Sequence, residues 1–120
     1  MATISKLTLS GSLYGRPIQI NATGSLGTAI HTTQTSSAII DEVWLYATNN
    51  DIVTRTLTVE YGQTGSANEI NVGVPSKSGL TIALAGTTLT GTGTSGSLIS
   101  AYASATGSIN VVGYINRITP

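Results

Sequence analysis

Few side chains in this sequence are of types that do chemistry, and their neighbours limit what each can do. His31 is the only histidine. If it lies in a strand with Ile30 facing inward, it points the other way, so a polar surface or contact role is expected of it rather than general-base catalysis. Asp41 and Glu42 are adjacent, which on a strand sends them to opposite faces and denies them a shared proton. Gly91-Thr92-Gly93-Thr94-Ser95-Gly96 spells G-x-G-x-x-G. A dinucleotide site requires a helix next and an acidic residue about 20 positions on. Here residues 98–103 read as strand and no Asp or Glu follows Glu69, so these glycines are expected to form a loop. Asn49, Asn50 and Asp51 offer oxygen ligands, but Ca²⁺ takes about six or more and no second acidic cluster stands nearby. Turn formation is the expected role of these three. Asn21-Ala22-Thr23 spells a glycosylation acceptor with no secretion signal ahead of it. The chain has no cysteine, which excludes disulfides, thiolate metal sites and cysteine nucleophiles. No nucleophile-elbow sequence occurs. Catalysis, cofactors and metals are not expected.

The remaining reactive-looking side chains are aromatic, and strands must position them. Residues 41–62, DEVWLYATNNDIVTRTLTVEYG, hold the only Trp and two of the five Tyr. Val43, Leu45 and Ala47 alternate with Glu42, Trp44 and Tyr46; Leu57 and Val59 alternate with Thr56, Thr58 and Glu60. Two period-2 runs around an Asn/Asp turn predict a β-hairpin with one apolar face. Trp44 and Tyr46 then share the opposite face. Three settings fit such a pair: an anchor in a protein interface, a platform for stacking a sugar, or a second buried face. Arg and aromatic residues are enriched at protein interfaces, and Tyr14, Arg16, Trp44, Tyr46 and Tyr61 are the candidate interface residues.

Composition points the same way. The 120 residues suit one domain with a real core, at 40% apolar. Charged residues are 8%, the five basic and five acidic side chains cancel, and mean hydropathy is +0.23. Ordinary proteins carry about 25% charged residues, and a lone soluble domain normally keeps its net charge away from zero. A neutral chain gains nothing by neutralising phosphates, so nucleic acid is not an expected partner, nor is an anionic membrane surface. Much of the surface is instead expected to be covered by other protein chains, with Ser, Thr and Asn finding hydrogen bonds there. No run approaches the roughly 18 apolar residues of a membrane helix. MATISKLTLSGSLYG lacks the apolar block of a signal peptide, so assembly in the cytoplasm is expected.

The strand rhythm continues to the end. Ile70, Val72 and Val74 alternate with Glu69, Asn71 and Gly73, and residues 75–79 make a turn before Leu80, Ile82 and Leu84. Ile99, Ala101 and Ala103 alternate, as do Ile109, Val111, Gly113 and Ile115, and an earlier strand covers residues 28–32. No segment has a 3.6-residue apolar period. An all-β fold is predicted: a single β-sandwich of 7–9 short strands, jelly-roll-like or immunoglobulin-like. Residues 86–97, low in complexity, are expected to be a mobile exposed loop. The sandwich domain is assigned to residues 27–120, and residues 1–26 to an N-terminal segment, either the first strand or an extended arm that pairs with a neighbouring subunit.

Gly27-Thr28-Ala29-Ile30-His31-Thr32, the DEVWLYATN run from Asp41, TLTVEYG from Thr56, SGLTIALAG from Ser78 and GYINRI from Gly113 together resemble small all-β virion structural proteins of tailed bacteriophages. The resemblance covers residues 27–118 and carries no catalytic residues. It implies a capsid decoration (cement) subunit that binds the assembled head and bridges major capsid proteins. Closed symmetry being the default for such subunits, a homo-oligomer is expected, a trimer on a shell's threefold positions in preference to a dimer on its twofold ones. A tail, baseplate or fibre-attachment subunit is the alternative virion role, and a carbohydrate-binding module the alternative outside it.

Overall fold

A computed structural model describes residues 2–120. The described residues form nine strands: β1 (Thr3–Thr8), β2 (Ile18–Gln19), β3 (Thr28–Thr32), β4 (Ile40–Asn49), β5 (Arg55–Gly62), β6 (Glu69–Val74), β7 (Thr81–Thr90), β8 (Leu98–Ala103) and β9 (Ile109–Thr119). They form two antiparallel sheets. One has the order β1-β9-β4-β7, with β2 also on β9; the other has the order β3-β8-β5-β6. The pairings are nested: β5 with β6, β4 with β7, β3 with β8, and β1 with β9. A long antiparallel ribbon rolled up in this way is a jelly roll. An immunoglobulin-like sandwich would instead set its first two strands side by side in one sheet.

Alternation places the core between the sheets. Val43, Leu45 and Ala47 of β4, Leu57 and Val59 of β5, Ile99, Ala101 and Ala103 of β8, and Ile109, Val111 and Ile115 of β9 are all buried together. On β9 the inward series is interrupted by Gly113, where a Cβ would lie 2.0 Å from the Trp44 carbonyl oxygen. Backbone cannot yield as a side-chain tip can. Gly113→Ala is therefore expected to sit at or above the upper end of the ~1–3 kcal/mol typical of overpacking, read as a lowered urea midpoint.

Four sequence expectations need correction. The two runs in residues 41–62 do not pair with each other: β4 and β5 lie in different sheets. The turn between them arches across the sandwich. Asn49 drives it, its Nδ2 donating to the carbonyls of Val53 and Val74 (2.8 and 2.9 Å) while its Oδ1 accepts from the Asp51 N–H. The division at residue 26 does not exist. β1 pairs along its whole length with β9, from Thr3↔Thr119 to Thr8↔Tyr114, and Leu9, Ile18 and Ile20 enter the common core. Within the chain this segment supplies the first strand of the sheet. Of residues 86–97, the first five belong to β7. The rest is a knit turn in which Thr92 Oγ1 accepts from the Ser95 N–H and the Gly93 N–H reaches the Thr35 carbonyl. Finally, β7 shifts register between the partners of Leu45 and Tyr46. Leu84 therefore faces the core while Ile82 turns outward, 59% exposed.

Candidate functional site

His31 is not a surface residue. A register shift between Ala29 and His31 on β3 breaks the alternation, so Ile30 and His31 are both buried. The Nδ1 of His31 accepts the Ser10 backbone N–H (3.1 Å), so its proton resides on Nε2 and is donated to Asp41 Oδ2 (2.7 Å). Asp41 in turn receives Nε and Nη2 of Arg117 at 2.7 and 2.9 Å. With both ring nitrogens engaged, His31 has no lone pair to offer a nucleophile. The cluster ties β3 of one sheet to β4 and β9 of the other.

The cluster also makes stability depend on pH. Burial is the main reason His31 lies below its ordinary 6.5, outweighing the pull of Asp41. Burial works to raise Asp41, but hydrogen bonds from Arg117 and His31 overcome it and hold the carboxyl below 3.8. In both cases the unfolded chain takes up a proton before the folded one does, so stability is lost as pH falls. Melting temperature is expected to be flat above about pH 7, to decline below pH 6.5 as unfolded His31 protonates, and to drop again below about pH 4. Measured melts in which His31→Gln keeps the decline between pH 6.5 and 5 would contradict this assignment.

A second buried carboxylate, Glu60, accepts from the Gly27 N–H (2.8 Å), the Ser100 hydroxyl (2.7 Å) and the Ser25 hydroxyl. It clamps the segment before β3 onto the outside of its sheet. Both carboxylates are structural ties.

The outward face of the β1-β9-β4-β7 sheet is different in kind. Register sets its residues in rows across the strands: Ile4, Ile118 and Ile40; Lys6, Asn116 and Glu42; Thr8, Tyr114 and Trp44; Val112, Tyr46 and Ile82. Trp44 and Tyr114 are stacked, centroids 6.1 Å apart and planes within 12°. The Lys6 ammonium sits 4.4 Å from the Tyr114 centroid, and Gly86 lies against the benzo ring of Trp44, where a Cβ would come within 2.9 Å. The Trp44 Nε1–H donates to Glu42 Oε1 (2.7 Å), and so does Asn116 Nδ2 (3.0 Å). Lys6, Tyr114, Trp44 and Gly86 thus follow one another in a row across the four strands. A sugar stacks on a free ring face; here Tyr114 lies against Trp44 on one side and Gly86 against its benzo ring. Such a surface suits protein contact, where aromatic anchors dominate the energy.

Trp44 and Tyr46 thus share an outward face, as their alternation predicts. Tyr14 and Arg16 sit together elsewhere, in the exposed loop between β1 and β2, with the guanidinium 5.8 Å from the ring centroid. Tyr61 does not belong with them. It has the inward parity of Leu57 and Val59 and packs on the core, its hydroxyl buried with no hydrogen-bond partner among the described residues. Sequence reasoning missed Tyr114, Lys6, Val112 and Ile82 as members of the face. Tyr114 was legible as an outward position on β9, but nothing local says that β9 lies beside β4. A further apolar patch was also missed. The loops after β4 and β6 are joined by Lys77 N–H to the Asn49 carbonyl and by the Ser76 hydroxyl to that of Asp51. They hold Ile52 (81% exposed), Val53 and Leu80 at one end of the sandwich.

Fold and face together define a jelly-roll β-sandwich with one aromatic outer sheet face. The sequence matches no family model, and no characterised protein or solved structure is significantly similar to the chain.

Proposed function

We propose that the protein is a structural subunit of a tailed-bacteriophage virion, a capsid decoration protein that binds the assembled head and stabilises it by bridging major capsid proteins. It acts by binding alone, as a homo-oligomer, a trimer in preference to a dimer, and is assembled in the host cytoplasm. The observation that carries this reading is the aromatic face of the β1-β9-β4-β7 sheet, turned outward and half-buried, on a chain with 8% charged residues. Water is a poor neighbour for such a surface, and another protein is a good one. The end patch of Ile52, Val53 and Leu80 gives the oligomer a second apolar surface to set against a shell.

Repetition supplies the strength. Many copies on one shell reinforce modest individual contacts. Binding the assembled shell and not its free subunits stabilises the assembly by mass action. Two measurements on purified virions test the reading. Quantitative mass spectrometry is expected to find copies comparable to those of the major capsid protein, and particles without the protein are expected to release DNA at a lower temperature. A handful of copies per particle would instead point to a tail, baseplate or fibre-attachment position. Glycan retention abolished by Trp44→Ala, with the oligomer intact, would favour a carbohydrate-binding module.

A further inference from the structure

Two outward surfaces of this chain, an exposed loop apex and a half-buried aromatic sheet face, are unlike each other and complementary. Resting on the reading that copies associate, we propose that the loop apex at residues 13–17 of one copy packs on the Trp44, Tyr46 and Tyr114 face of the next. Arg16 meets Glu42 there, and the copies join head to tail and close into a ring.

The apex is built to project. The Ser12 hydroxyl donates to the Leu9 carbonyl (2.7 Å) and accepts the Gly15 N–H (3.2 Å), and the Arg16 N–H closes the turn on the Leu13 carbonyl (3.1 Å). At its base, the Gly11 N–H bonds the Ile30 carbonyl (2.9 Å), Ser10 Oγ accepts the Thr32 N–H (2.8 Å), and the Ser10 N–H is held by His31. On this fixed turn Leu13 and Tyr14 stand out 61% and 85% exposed. Tyr14 has φ +57°, a backbone conformation unfavourable for a bulky side chain, of the kind that collects at binding sites. A rigid loop loses little freedom on docking.

Charge identifies the other half. Arg16 is the one charged side chain of residues 13–17, and the other charge of residues 1–40, Lys6, lies on the receiving face in the Glu42 row, so the apex is a cationic prong. On the face, Glu42 Oε1 takes both the Trp44 and Asn116 donors, and Oε2 receives none from the described residues. A carboxylate held in place with one oxygen open is a ready acceptor for a guanidinium. Two rows along the same face, past Trp44 and Tyr114, the row of Val112, Tyr46 and Ile82 offers the apolar bed for Tyr14 and Leu13. Repeated from copy to copy, a prong-on-face contact is heterologous and forms a ring when the rotation closes; exchanged reciprocally between two copies, the same contact would make a two-fold dimer.

The chain has no cysteine, so single thiols can report the contact. Leu13→Cys and Ile82→Cys variants would be treated with a short bismaleimide and read on denaturing gels beside sedimentation velocity. Expected are no covalent product from either variant alone, a heterodimer when the two are mixed under subunit exchange, and a ladder ending at the ring size from the double variant. Adding Arg16→Glu should cut the yield about tenfold or more. Self-linking of either single variant, or a double-variant ladder that stops at the dimer, would overturn the head-to-tail ring in favour of a two-fold contact. An oligomer whose double variant does not link would overturn the prong and leave self-association standing. A monomer at every concentration would overturn both.

Discussion

Asp41→Ala is expected to cost about 3–5 kcal/mol, the loss usual when one partner of a buried ion pair is removed. The substitution deletes more than attraction. Arg117 keeps its charge with Nε and Nη2 unpartnered, and the Nε2–H of His31 is left in the core without an acceptor. Asp41 is also the junction of the two sheets, joining β4 and β9 to β3 through its two oxygens. Urea denaturation followed by Trp44 fluorescence reads the loss. His31→Asn should cost less, about 1–3 kcal/mol, because the Asp41–Arg117 pair survives it. Equal losses from the two variants would mean that the ion pair contributes little and the His31 bonds dominate.

Tyr46→Asp is expected to do the reverse, leaving the fold and removing self-association. Its side chain points away from the core, between Val112 and Ile82 in register, so the fold loses little. A carboxylate placed in the middle of an apolar contact stays unpaired and desolvated there, and loss of an aromatic anchor alone typically costs about 2 kcal/mol or more of binding, roughly 30-fold in affinity. Sedimentation velocity should show a monomer whose melting temperature is close to that of the parent. A variant that remains fully oligomeric would remove this face from the interface.

The sequence carries the strands and most of their inward residues, because burying one face of a sheet imposes a period of two on the side chains. It does not carry partner choice. Asn49, Asn50 and Asp51 make the same kind of turn whether the chain doubles back within a sheet or arches to the other one. The arch was settled by Asn49 bonding to Val53 and Val74, and Val74 is 25 residues away. The register shifts at His31 and Ile82 are similarly silent in one dimension. One extra residue reverses the face of all that follows, which buried His31 and exposed Ile82. At the candidate site, Trp44 and Tyr46 were legible as an outward pair. Tyr114 joined them through the β4–β9 pairing, a contact between residues far apart in the chain. Tyr61 was misjudged on residue type alone, although the alternation with Leu57 and Val59 already marked it as inward.

On the proposed reading, a chain with so few charges keeps its aromatic sheet face covered by copies of itself. Sedimentation equilibrium over a wide concentration range, run beside acrylamide quenching of Trp44, tests it most directly. A closed oligomer is expected at all but the lowest concentrations, with Trp44 shielded from quencher and uncovered by Tyr46→Asp. A monomer throughout, its Trp44 as accessible in the parent as in the variant, would contradict it.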